Sequence, residues 1–354
     1  MEKENVNKRV QIQWINCAKA AAMIAVLVIH GFNILYTNFE VARTVDWALS
    51  LFIIITGMGA YISNSRSNLS WGKAYFKSVK KMLRAYVICS AIALIIKTGG
   101  FDVKTYLYQL IHFNASGPLY YVSLYLQLMV VSWPLVWCLQ KCPKNLIGYT
   151  KEALLFLIIS CIASFTANYT QILDIYGGGG KLFGGTYLVL FYLGMLMIKH
   201  GWFEQESLIK SILIWSISSV AWIFWRKKLV IFRMVIDSKV PWGEGYDCPS
   251  ITIMLFAIFT LFAIYGICKI LEKTEITGKI VQAGSWLGER TLYIFMLHLV
   301  ILYFWLMPYI EIENIWLKRI VYMVLMIVLP LVIEYIVKTC VKWIKVLAGG
   351  IKSE

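Results

Sequence analysis

Apolar residues come in long blocks that recur along the whole chain, broken only by short polar and basic stretches. Crossing a bilayer takes about 20 residues of helix at 1.5 Å rise each. Blocks of that kind fall near Ile15–Tyr36, Trp47–Ser63, Leu83–Ile96, Pro118–Leu139, Ala153–Tyr169, Leu182–Ile198, Leu208–Trp225, Ile251–Ile270, Leu287–Leu306 and Trp316–Val337. The pattern predicts an all-α, polytopic integral membrane protein with about ten transmembrane helices. The third is short, and Tyr106–Ile111 offers the fourth an earlier start.

Composition agrees with the pattern. Hydrophobic residues make up 60% of the 354 residues and charged residues 15%, with a mean hydropathy of +0.70. Soluble domains carry about 25% charged residues, so water is not the solvent this surface is built for. No hydrophilic block is long enough to fold separately, and residues 1–354 read as a single membrane domain with a helical core over about residues 12–343. No small-residue cleavage pattern follows Tyr36, so the first block reads as a retained span rather than a signal peptide.

The net charge of +15 is spread among the loops. With no zinc-finger spacing and no soluble basic domain, it marks topology rather than nucleic acid binding. With ten spans, Lys3, Lys8 and Arg9, then Arg66, Lys73, Lys77, Lys80 and Lys81, then Lys141, Lys144 and Lys151, and finally Lys338, Lys342, Lys345 and Lys352 all fall on one side. The positive-inside bias makes that side cytoplasmic, with both termini inside. Arg226, Lys227, Lys228, Arg233 and Lys239 disagree, offset in part by Asp237, Glu244 and Asp247.

Charge inside a span needs a partner, a water-filled cavity or a chemical task. Lys19 lies about one turn into the first span, where its stem can snorkel toward the headgroups. His30 follows eleven residues later, about 16 Å farther along a helix, in the outer half of the span. A packed, hydrogen-bonded histidine and a general base that titrates near neutrality are both open readings. His298 falls near the middle of the ninth span, so the two histidines meet if spans one and nine pack together. Lys77, Lys81 and Arg84 share one helical face at the entrance to span three, suited either to phosphates or to topology marking. Glu334, four residues after Pro330, suits an ion pair or proton coupling.

The remaining features carry structural readings. The eight cysteines lie mostly in or beside spans as small buried side chains, and no metal is expected. The segment "YGGGGKLFGG" from Tyr176 to Gly185 reads as a flexible connector rather than an anion cradle. In the outer loop, Trp242 and Tyr246 suit the interface, while Glu244 and Asp247 read as loop acids or acceptor contacts.

Five segments in order resemble the acyltransferase-3 family of integral membrane acyltransferases. In "NCAKAAAMIAVLVIH", Asn16 stands where the family has an acid, Lys19 at the basic position and His30 at the histidine position. "LFIIITGMGAY", "KKMLRAY" with Ala85 in place of proline, "GPLYYVSLYL" with Tyr120 and Tyr121 for Trp-Phe, and "GERTLYIFMLH" ending at His298 follow. The resemblance covers roughly residues 10–340. It implies transfer of an acyl group, commonly acetyl, from acetyl-CoA or another cytoplasmic acyl-CoA to a hydroxyl of a cell-envelope glycan or glycolipid in the bacterial plasma membrane. It implies catalysis by His30 and His298, donor binding by Lys19, Lys81 and Arg84, and acceptor binding by Tyr120, Tyr121 and Glu244. The rival reading is a polysaccharide or small-molecule exporter. Spans of this number, with Lys19 and Glu334, would suit it, although no internal repeat is visible.

Overall fold

The computed structural model describes residues 2–35, 43–67, 69–175, 178–204, 207–237 and 248–350. The helices in chain order are α1 (Glu2–Leu35), α2 (Ala48–Asn64), α3 (Trp71–Thr98), α4 (Val103–His112), α5 (Tyr120–Gln140), α6 (Leu146–Tyr169), α7 (Tyr187–Lys199), α8 (Leu208–Phe232), α9 (Ile251–Leu271), α10 (Glu275–Gly288), α11 (Thr291–Ile301) and α12 (Ile315–Gly350). The described residues form no strand, and the protein is an all-α polytopic membrane protein.

The expected count of ten spans is corrected to seven helices, among the described residues, that are long and apolar enough to cross a membrane. They are Gln13–Gly31, Gly117–Gln140, Leu146–Tyr169, Leu208–Asp237, Ile251–Leu271, Thr291–Tyr309 and Ile315–Ile344. The other three expected segments are helical but fall short for physical reasons. The helices α2 and α7 are apolar but only 17 and 13 residues long. The helix α3 has ample length at 28 residues, yet its first half carries Lys73, Lys77, Lys80, Lys81 and Arg84.

The two short helices pack against each other at the centre of the bundle. Glycine makes the close approach possible: a Cβ at Gly57 would stand 2.0 Å from the carbonyl oxygen of Phe191, and one at Gly194 would stand 2.1 Å from that of Ile54. Small residues let apolar helix backbones touch where no hydrophobic driving force separates protein from lipid. The surrounding core is continuous, with Leu51, Ile53, Ile54 and Phe191 fully enclosed.

A second glycine device places α10 against α1. A Cβ at Gly288 would lie 1.8 Å from the carbonyl oxygen of Asn16, and one at Gly284 would lie 3.0 Å from the Cys17 sulfur. Cys17 also donates its S–H to the Val281 carbonyl at 3.1 Å. The corner between α10 and α11 therefore rests directly on the first helix, one turn before Lys19.

The glycine-rich segment corrects the flexible-connector expectation. Gly178, Gly179 and Gly180 are buried. Ser123 Oγ and Gln127 Nε2 each donate to the Gly179 carbonyl at 2.9 Å, and Phe183 N–H donates to Gln127 Oε1 at 2.9 Å. A Cβ at Gly179 would lie 2.3 Å from the Tyr120 carbonyl oxygen. Glycine serves close packing beneath α5 here, because buried backbone groups must find partners and α5 supplies them.

Candidate active site

A cavity of about 660 Å3 opens where α1, α2, α3, α5 and the α10–α11 corner meet. That volume lies within the usual range for small-molecule sites. Four cationic side chains line it: Lys19 from α1, Lys81 from α3, Arg290 from the corner and Lys338 from α12. The opposing acids are fewer. Glu289 lines the cavity, and Glu334 meets Lys338 through an ion pair of 2.6 Å. The excess of positive charge in a partly enclosed space suits a polyanionic ligand, since field lines concentrate between low-dielectric walls.

The helical arrangement fixes how Lys19 is held. Its Nζ donates to Asn16 Oδ1 at 3.3 Å, one turn back on the same helix. Asn16 Nδ2 in turn donates to Glu289 Oε1 and Ser285 Oγ, both at 3.3 Å. A buried amide thus joins the lysine of one helix to the carboxylate of another.

At the other end of the cavity stands an aromatic wall. The rings of Phe295 and Tyr121 lie 5.0 Å apart, those of Phe52 and Phe295 5.9 Å, and those of Phe52 and Tyr121 6.3 Å. The Thr56 hydroxyl donates to the Phe52 carbonyl at 2.7 Å, which leaves its oxygen to accept from the Tyr121 hydroxyl at 3.2 Å. Tyr121 is thereby held across the wall.

Beyond Phe295 lie the two histidines. The rings of His30 and His298 approach to 5.2 Å between centroids at an interplanar angle of 45°, and the Phe295 ring is 6.1 Å from His298. His298 is completely buried. Its Nδ1 lies 2.8 Å from the Phe295 carbonyl and 3.1 Å from that of Ile294. Carbonyls only accept, so Nδ1 carries the proton and the neutral ring keeps its lone pair on Nε2. Nε2 has no partner among the described residues. Such an acceptor is costly to bury unless it has work or a ligand.

The structure therefore gathers most of the expected site residues into one region. Lys19, Lys81 and Tyr121 line the cavity, and His30 and His298 form a pair behind Phe295, outside the lining itself. Arg84 is exposed one turn beyond Lys81 and is not part of the lining. Tyr120 is also outside the lining, its backbone packed on Gly179. Glu244 lies outside the described residues, as do Trp242, Tyr246 and Asp247.

The sequence pointed to no site role for Glu289, Arg290 or Ser285, and Lys338 stood in it as a marker of topology alone. The adjacent charges of Glu289 and Arg290 at the head of an apolar helix were a visible signal; Ser285 and Lys338 offered none. Two of the discordant basic residues, Arg226 and Arg233, have partners, and Lys239 lies outside the described residues. Arg226 Nε donates to Thr44 Oγ1 at 2.9 Å, and Arg233 stands 4.0 Å from the Asp46 carboxylate. Burial raises the Asp46 carboxyl above its ordinary range, against the opposing pull of Arg233, Arg43 and Arg226. Among the described residues, no group of three or more His, Cys, Asp or Glu is placed to hold a metal ion.

Residues 12–335 match a family model described as an acyltransferase domain, that of the acyltransferase-3 family. No curated protein matches the chain significantly.

Proposed function

This chain belongs to the acyltransferase-3 family, and on that premise we propose that it moves an acyl group, commonly acetyl, from a cytoplasmic acyl-CoA to a hydroxyl of a cell-envelope glycan or glycolipid. The observation that carries the reading is the histidine pair of His30 and His298 behind the aromatic end of a cavity whose other end is cationic. Lys19 and Lys81 meet the donor's phosphates, and Arg84 guides them from the exposed face of the same helix. An extended pantetheine arm reaches from there along α1 toward His30, about 16 Å on from Lys19.

The chemistry follows from that placement. His30 takes the proton of the acceptor hydroxyl as its oxygen attacks the thioester carbon, forming the new C–O bond. The tetrahedral intermediate then collapses, the C–S bond breaks, and the thiolate of CoA leaves and recovers the proton from the imidazolium. His298, with Nδ1 committed to the backbone, offers Nε2 to orient the acceptor or to assist proton transfer. Tyr120, Tyr121 and Glu244 are assigned to the acceptor side.

The same geometry supports a cytoplasmic location for both termini. Asn16 and Lys19 lie in the first half of the span Gln13–Gly31 and Lys338 in the second half of the span Ile315–Ile344, yet all three line one cavity. That shared end coincides with the basic loops.

Two experiments test the reading. Purified protein should consume acetyl-CoA in the presence of a glycan acceptor panel, and movement of acceptor across liposomes without donor consumption would identify an exporter instead. The aromatic wall adds a test of acyl length. Phe295→Ala is expected to raise the hexanoyl-to-acetyl ratio of kcat/KM about tenfold, because a few methylenes in an apolar pocket are worth that much. An unchanged ratio would mean that the wall does not border the acyl group.

A further inference from the structure

The reading above leaves the chain's own carboxylate at the donor cavity unused. Lys19 sits within a span, and a charge at that depth requires a counter-charge or water. It donates to a neutral acceptor, the Asn16 amide oxygen at 3.3 Å. The amide nitrogen of Asn16 donates to Glu289 Oε1 at 3.3 Å, so the nearest carboxylate along this chain of bonds belongs to a different helix. The approach is built into the fold: Gly288, adjacent to Glu289, is the residue whose missing Cβ lets the corner touch the Asn16 backbone. The donor-only ammonium of Lys19 and the accepting carboxylate of Glu289 fix which way the amide points, oxygen toward Lys19 and nitrogen toward Glu289, and Ser285 Oγ accepts from the same nitrogen at 3.3 Å.

We propose that Glu289 is the positioning carboxylate of the donor cavity, holding Lys19 in its cationic, cavity-facing pose through Asn16. At this contact the negative charge stands on the α10–α11 corner, while α1 offers the neutral amide of Asn16. The proposal rests on the acyl-CoA reading for its functional consequence, but the charge relation itself does not.

Asparagine and aspartate have the same shape, so the negative charge can be moved by one hydrogen bond. Asn16→Asp alone sets two carboxylates across a contact of 3.3 Å, and like charges at that distance repel. Asn16→Asp with Glu289→Gln restores a single carboxylate, now beside Lys19, with the Gln amide and the Ser285 hydroxyl able to donate to it.

The test is a double-mutant cycle on the full-length protein in detergent, read in two ways. In thermal unfolding, N16D is expected to lower Tm and E289Q to bring it back. Additive Tm changes, with no recovery in the double variant, would overturn the proposal. In kinetics, E289Q should raise KM for acetyl-CoA about fivefold with kcat nearly unchanged, as the loss of a partly exposed charge pair allows, and N16D/E289Q should return KM toward the wild-type value. A lower KM for E289Q would also overturn it, since that is what a carboxylate that merely repels the donor's phosphates would give. If the wild-type protein consumes no acyl-CoA, the donor reading fails while the Tm cycle still decides the charge relation.

Discussion

Replacing His30 with alanine is expected to lower acyl transfer by about 10²–10⁴-fold, the range that a positioned general base contributes. The expectation rests on pairing rather than on the residue type. His30 faces a second imidazole at 5.2 Å whose Nδ1 is held by the Phe295 and Ile294 carbonyls. A ring so oriented presents a fixed face to its neighbour, and preorganisation of this kind lets a base act without reorganising. His30 is only half-buried and belongs to a helix packed by many other residues, so H30A should keep its Tm. His298→Ala should also lose activity, but with a fall in stability, because a fully enclosed ring is removed. The double variant should be little slower than H30A alone, since residues that act as a unit lose their effect together. Turnover of acetyl-CoA by the detergent-purified variants, measured with their Tm, checks all three. A folded H30A protein with undiminished transfer would remove His30 as the base.

The pair also shows how far the chain can be read without coordinates. The position of each histidine along its helix follows from counting helical rise, and the two rings meet at 5.2 Å. Their approach depends on α1 and α11 packing together, which no pattern along either helix encodes. The basic face of α3 was equally visible, yet only packing distinguishes Lys81, which lines the cavity, from Arg84, one turn on and outside the lining. The absent acid at Asn16 could be seen as a departure, whereas its replacement lies 273 positions away in sequence. Glycine misled in a different manner. A run of glycines is compatible both with a loose loop and with backbone pressed against backbone, and the choice at Gly178–Gly180 is made by Ser123 and Gln127 on α5. Helix length misled through the same residue type. The helices α2 and α7 can be short because Gly57 and Gly194 let them bury against each other.

Removing the carboxylate of Glu152 is expected to be the most destabilising polar substitution in the protein. Glu152 is buried, and its two oxygens meet Lys199 Nζ and, at 2.7 Å, His200 Nε2. Lys199 also donates to the carbonyls of Leu139 and Cys142 at 2.6 and 2.9 Å, so one ammonium ties the end of α5, the turn after it, α6 and the end of α7 together. Its side chain is 6% exposed, as is that of Glu152, so water cannot replace a lost partner. Glu152→Ala leaves an uncompensated buried cation, which costs about 3–5 kcal/mol, and should lower Tm by about 5 °C for a chain of this size. Glu152→Gln keeps one acceptor oxygen and should cost less. The decisive comparison is the pair E152A and E152A/K199M. Removing both charges exchanges a buried ion pair for apolar packing, a change that is often neutral, so the double variant should recover much of the lost Tm. Because this cluster lies outside the cationic cavity, KM for acyl-CoA should stay at the wild-type value in every variant that remains folded. A fall in Tm without recovery in the double variant would mean that the Lys199 hydrogen bonds to the Leu139 and Cys142 carbonyls, and not its pairing with Glu152, join the three helices, since those are the bonds that methionine cannot make.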